Sequence, residues 1–237
     1  MSAAPLYVVG LDLGQTSDYS ALCIAERTEK DCLASYAVRH LHRYPLRTAY
    51  TAIGSQLQEM LAKPPLPDST LAVDQTGVGR AVVDILHGLN LPASIVPVTI
   101  TAGHKTTRED DGWHVPKKEL VGVVQVLLQS GRLVFADKMK LAAVAKRELE
   151  MFRTKVSVET GHESFEAWRE RDHDDIVLAV ALACWAGEHA MCGPWEVPYD
   201  RGAQYQAHKA PPGVFLDNPG DDDDNEYRSV ADRWPGY

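Results

Sequence analysis

Apolar and polar residues follow one another in blocks whose repeat switches between two and about 3.6 residues, and the switches divide the chain into strands and helices. Residues 6–13 are an almost unbroken apolar run, interrupted by Asp12 and closed by Gly14, which predicts a strand covered on both faces. Residues 20–26 and 33–41 predict two more strands with a polar turn at 27–31, so the chain opens as a meander. Residues 48–61 place Ala49, Ala52, Ile53, Leu57, Met60 and Leu61 at helical spacing, and Pro64, Pro65 and Pro67 end that helix. A short strand at 69–74, a helix to Leu89 and a strand at 95–98 follow. The polar stretch 101–115 reads as an exposed hairpin or loop. A helix at 117–130, a strand at 133–135 and a helix at 138–152 come next, and the β-branched and polar mixture at 153–172 predicts a hairpin. From Asp174 or Asp175 to about His189 the chain is apolar all round, the mark of a buried helix. Strands alternating with helices in this order predict an α/β fold, one mixed sheet flanked by helices.

The pattern dissolves after Cys192, which divides the chain into an ordered domain at 1–192 and an acidic tail at 193–237 expected to be disordered. From Met191 onward nine acidic residues face four basic ones, so more than half of the net charge of −9 sits there. The remaining charge permits nucleic-acid binding of a salt-sensitive kind. Cys23, Cys32, Cys184 and Cys192 form no C-x-x-C pair, which fits a reducing cytosol. The apolar run near Cys184 is too short to span a bilayer and the start of the chain lacks the pattern of a signal peptide, so no membrane partner is expected.

Charge in apolar surroundings marks the candidate chemistry. Asp12 stands in Gly10-Leu-Asp-Leu-Gly14, Asp74 closes Leu71-Ala-Val-Asp74, and Asp174 and Asp175 open the most apolar helix. An ionised carboxylate is costly to bury unless it is paired or bound to a metal. Acids at element ends, where open α/β sheets hold ligands, suggest a site for magnesium or manganese. Simpler roles stay open beside this one: Asp12 as a turn residue, Asp74 as a helix cap, one of Asp174 and Asp175 as an N-cap, and Asp18 as a plain turn acid.

These residues carry a resemblance. Gly10-Leu-Asp-Leu-Gly-Gln-Thr-Ser-Asp-Tyr-Ser-Ala21, Val73-Asp-Gln-Thr-Gly-Val-Gly79 and His173-Asp-Asp-Ile-Val-Leu-Ala-Val-Ala-Leu-Ala183 resemble the three acidic motifs of the nuclease domain of tailed-bacteriophage large terminases. Val115-Pro-Lys-Lys-Glu-Leu120 and Gly131-Arg-Leu133 resemble the stretch those domains carry before the last motif. The resemblance implies a ribonuclease H-like fold and an endonuclease that cleaves double-stranded DNA with two Mg2+ or Mn2+ ions. It implies Asp12, Asp74 and Asp175 as catalytic residues, Asp174 as a further metal ligand, and Asp18 as an acidic position found in some members. It also implies partners in packaging: a small terminase subunit, a portal and a separate ATPase. The chain itself has no G-x-x-x-x-G-K-[ST] loop, so the resemblance is to a nuclease unit apart from its motor. The expected setting is the cytoplasm of a phage-infected bacterium.

Lys105, Arg108 and Trp113 in the polar stretch are candidates to grip DNA by phosphate contact and stacking, or form a solvated loop. Lys117 and Lys118 suit either a phosphate or a solvent-facing first turn, and His173 either positions water or merely precedes a cap. Two other readings of the acids are a Holliday-junction resolvase and an actin-like or sugar-kinase ATPase. The chain contains no Gly-Gly pair for the adenosine loop of the latter.

Overall fold

The apolar run at the start of the chain becomes strand β1 (Leu6–Asp12), with Val8, Val9 and Leu11 wholly buried. The computed structural model describes residues 6–14, 18–30, 32–77, 79–136, 138–158 and 174–189, with the backbone alone at 79, 80 and 151–158. Strand β2 (Ala21–Lys30) runs antiparallel to β1, and β3 (Leu33–Arg43) antiparallel to β2, completing the meander. Both are longer than the polar stretch at 27–31 predicts. Arg27 lies inside β2, where its Nε donates to the Gly187 carbonyl at 3.1 Å and a terminal nitrogen pairs with Glu29 at 3.0 Å. A charge that reads as a turn residue is thus satisfied within the fold.

Helix α1 (Tyr50–Leu61) turns Ile53, Leu57 and Leu61 inward. Strand β4 (Ser69–Asp74), buried along its whole length, joins β1 in parallel on the side away from β2. Helix α2 (Gly79–Gly88) leads to β5 (Ala93–Thr101), parallel to β4. The polar stretch that follows is a hairpin, but an integrated one. Its arms are β6 (Thr107–Glu109) and β7 (Gly112–Pro116), and β7 pairs in parallel with β5, burying Val115. Gly112 adopts φ 129° with its Cα against Pro97, an approach that a side chain would block.

Helix α3 (Lys117–Gln129), strand β8 (Leu133–Phe135), parallel to β3, and helix α4 (Ala142–Val158) follow. The helical path of 153–158 overturns the expected start of a hairpin at 153. Extending a formed helix needs no new nucleus, and that outweighs the strand preference of Thr154, Val156 and Val158. Residues 159–172 and the tail at 193–237 lie outside the described residues.

Helix α5 (Asp175–His189) is buried from Asp175 to Gly187. It packs on β1, β2, β3 and β4, with α3 and α4 beside it. Gly10 makes this contact possible: a Cβ there would lie 2.0 Å from the Ala179 carbonyl oxygen. Val8, Cys23 and Ala72 face the helix in one apolar cluster. The alternating residues Val9, Leu11, Ile24 and Leu71 are turned away from it.

Among the described residues the sheet has eight strands in the order β6-β7-β5-β4-β1-β2-β3-β8. All but β2 and β6 run the same way. The central order β3-β2-β1-β4-β5, with β2 alone reversed, is the ribonuclease H-like arrangement that the motifs imply. Among the described residues no helix is long and apolar enough to cross a membrane.

Candidate functional site

Because β1, β3, β4, β5 and β7 run the same way, their C-terminal ends share one edge of the sheet. Leu11 is the partner of Val73, so the next residues, Asp12 and Asp74, end their strands side by side. They are 7% and 8% exposed. Asp74 also makes a turn: its Oδ1 accepts from the Thr76 amide at 2.8 Å and from the Thr76 hydroxyl. That hydroxyl oxygen in turn accepts the Ile100 amide at 2.9 Å, tying the turn to β5.

The start of α5 brings two further acids. The Asp174 carbonyl accepts the Leu178 amide at 2.9 Å, so Asp174 is the cap residue by position. Its carboxylate is turned to Lys117, whose Nζ donates to Oδ2 at 2.8 Å. The capping itself comes from another helix. Glu148 of α4, 7% exposed, accepts the Ile176 and Val177 amides through Oε2 at 3.1 and 3.2 Å. Its Oε1 is bound by Arg43, the last residue of β3, and the same guanidinium lies 3.0 Å from Asp175 Oδ2. Burial pushes the Glu148 carboxyl up to about 7 against the pull of Arg43. Asp175 is 5% exposed.

These acids act on one another. Burial, then the charges of Asp74, Asp174 and Asp175, push the Asp12 carboxyl well above its ordinary range, while the Lys117 ammonium pulls it back. The structure therefore brings together Asp12, Asp74, Asp174 and Asp175, with Lys117 among them. Four clustered carboxylates against two cations, Lys117 and Arg43, leave an excess of oxygen donors of the kind a hard divalent ion prefers, so these residues could hold magnesium or manganese.

The other sequence candidates are dispersed. Asp18 is exposed on the loop after β1, and His173 lies outside the described residues. Lys105 and Arg108 are exposed, and Lys118 reaches His104, its Nζ 2.7 Å from Nδ1. The Arg108 guanidinium sits 5.3 Å from the centre of the Trp113 ring. Trp113 is half-buried and meets Trp185 of α5 edge-on at 5.5 Å, so it belongs to the packing beneath the hairpin. Glu119 fastens this region: its two oxygens accept Trp185 Nε1 at 3.0 Å and the Thr106 hydroxyl at 2.6 Å.

Sequence reasoning missed Arg43 and Glu148. The signal for Glu148 is a charge on the apolar face of a helix, three residues after buried Ala145. Arg43, at the end of a strand, carries no comparable signal. A second group of donors was also missed: ligand atoms of Glu109, Asp111 and His114 lie within 4.8 Å of one another on the hairpin, partly exposed.

No protein-family model matches the chain, and no curated protein matches it. Solved structures similar to it include the large terminase nuclease of thermophilic phage G20c, at 18% identity, covering 76% of this chain and 81% of that one with a TM-score of 0.48. The human cytomegalovirus terminase nuclease domain, soaked in manganese and bound to an inhibitor, is similar at 13% identity, 78% and 84% coverage and a TM-score of 0.49. The large terminase nuclease domain of bacteriophage SPP1 with bound manganese is similar at 11% identity, 77% and 86% coverage and a TM-score of 0.44.

Proposed function

We propose that this chain is a divalent-metal-dependent endonuclease that hydrolyses phosphodiester bonds of double-stranded DNA. The observation that carries the reading is the convergence of four acids at one sheet edge, three of them nearly buried, with Asp12 perturbed by the other three. Asp12, Asp74 and Asp175 would hold magnesium or manganese as the principal ligands, with Asp174 completing the set. Two such ions supply an activated water and stabilisation of the leaving oxygen in phosphodiester hydrolysis.

The chain's own residues bind and orient. Lys117 balances part of the negative charge beside Asp174 and stands ready for a phosphate oxygen when the acids are neutralised. Lys118 follows it at the start of α3, and Lys105 lies in the loop after β5, both at the edge that bears the acids. With Arg108 they offer cations to the phosphates on either side of the scissile bond, contacts that position DNA without reading its sequence. Asp18, on the loop after Asp12, is an outer acidic candidate. The likeness of the motifs to phage terminases extends the proposal to genome packaging, with a separate ATPase, a small terminase subunit and a portal as partners in an infected bacterial cytoplasm.

Gly10 of Gly10-Leu-Asp-Leu-Gly14 has a packing role, since it admits α5. The test is plasmid cleavage with magnesium, manganese or chelator, using wild type and Asp12→Asn. Nicking and linearisation that need metal and vanish in the variant are expected, and equal cutting in chelator overturns the reading.

A further inference from the structure

Asp175 is the acid whose place depends most on its neighbours. It opens a helix rather than ending a strand, so no sheet register fixes it. Asp174 holds the cap position, and an acid at either of these first positions commonly turns to the free amides of the first turn, which would take its oxygens out of the site. Here Glu148 supplies the accepting oxygen for the Ile176 and Val177 amides. One terminal nitrogen of Arg43, Nη2, meets both Glu148 Oε1 and, as an ion pair at 3.0 Å, Asp175 Oδ2. Arg43 is itself fixed by the sheet: it is the register partner of Ala21, which is the partner of Asp12. Asp12 and Arg43 thus lie in one row across β1, β2 and β3, with the guanidinium reaching from the strand edge to the helix start. Tyr19 covers it, its ring centre 5.1 Å from the Arg43 guanidinium carbon.

We propose that Arg43 and Glu148 are the positioning residues of the site. Glu148 takes over the cap of α5, and Arg43 holds one oxygen of Asp175 so that the other is presented toward Asp12 and Asp74. The inference rests on the reading of these acids as a metal site and adds to it the pair that gives Asp175 its orientation. Such supporting contacts commonly govern metal affinity and activity by about 10–100-fold.

The charge-neutral double variant Arg43→Met with Glu148→Gln tests this. It removes the clamp, leaves the formal charge of the cluster unchanged, and keeps an amide oxygen able to cap α5. Manganese binding is measured by calorimetry on the full chain, alongside the kinetics of plasmid nicking. Expected are an affinity for manganese weaker by about tenfold and kcat lower by at least about tenfold, with KM for DNA within about twofold of wild type. Arg39→Met, which breaks the Arg39–Glu26 pair on the same strand, controls for general loosening and leaves manganese affinity unchanged. Arg43→Lys, which keeps the charge but loses the planar guanidinium whose one terminal nitrogen meets both carboxylates, weakens manganese binding less, by about threefold. If the double variant does not fold by circular dichroism, Arg43→Lys decides. A folded double variant, or in its absence Arg43→Lys, that binds manganese as wild type does overturns the inference and leaves the metal-site reading standing. A wild-type chain that binds no manganese overturns both.

Discussion

Lys117 Nζ lies 2.8 Å from Asp174 Oδ2, so the first residue of α3 places an ammonium among four acids whose other cation is Arg43, 3.0 Å from Asp175. Lys117→Met should therefore destabilise the metal-free protein by about 1.5–3 kcal/mol, the usual contribution of a hydrogen bond to a charged group. On the proposed metal reading manganese would neutralise the same charge, so its addition should recover much of the loss. Differential scanning fluorimetry in chelator and in manganese measures both, and an unchanged melting temperature in chelator would rule out this role.

The position of Asp12 costs stability. Burial and three like charges disfavour its ionised form, so Asp12→Asn should raise the metal-free melting temperature, by about 1 kcal/mol in free-energy terms. The same change should remove manganese-induced stabilisation and DNA cleavage. A variant less stable than wild type in chelator would contradict the electrostatic account.

The structure offers two donor groups, and mutation separates them. Asp175→Asn should lose most of the manganese-induced rise in melting temperature along with cleavage. His114→Ala, which dismantles the Glu109, Asp111 and His114 group, should keep both. The opposite pattern would move the metal to the hairpin.

Gly10→Ala should prevent folding or cost more than about 3 kcal/mol. Its Cβ would meet backbone atoms at Ala179 and Ala183, which no rotamer change can relieve. Circular dichroism and urea unfolding report the effect, and a variant of wild-type stability would mean that α5 does not lie against β1 as described.

His40 gives the fold an acid sensitivity separate from the clustered acids. Its Nε2 is buried without a hydrogen-bond partner among the described residues, and burial, aided by His42, holds its pKa below the usual 6.5. Burial and then Lys140 do the same to His42. For a base with a depressed folded value, unfolding takes up protons, so stability held at neutral pH is lost as pH falls from about 6.5 toward the folded value. Asp12 acts in the opposite sense, so the measure is a difference between two curves. His40→Leu should lose less melting temperature than wild type between pH 7.5 and 5.5, and parallel curves would refute the assignment.

The strands and helices were largely legible because each carries its own period: β1 and β4 are apolar throughout, α1 repeats every three or four residues, and α5 is apolar all round. Asp12, Asp74 and the Asp174-Asp175 pair stood out as charges in such runs. What the sequence hid was satisfied at a distance. Arg27 reads as a turn because its acceptor, the Gly187 carbonyl, is 160 residues away. Trp113 reads as a free stacking platform because Trp185, its packing partner, belongs to α5. Whether Asp174 caps or ligates looked like a choice within one helix, yet Glu148, from another helix, supplies the cap.

Helix α5 fills the middle of the fold although it is encoded far along the chain, so β1 leaves the ribosome well before its cover does. At about 5–20 residues per second, the roughly 160 residues between Asp12 and Asp175 take on the order of 10–30 s to synthesise. During that interval the groove at Gly10 stands empty and Asp12 and Asp74 lack their two later partners. A nascent or prematurely terminated chain cannot gather the acids, so translation order alone keeps the cluster apart until the fold closes.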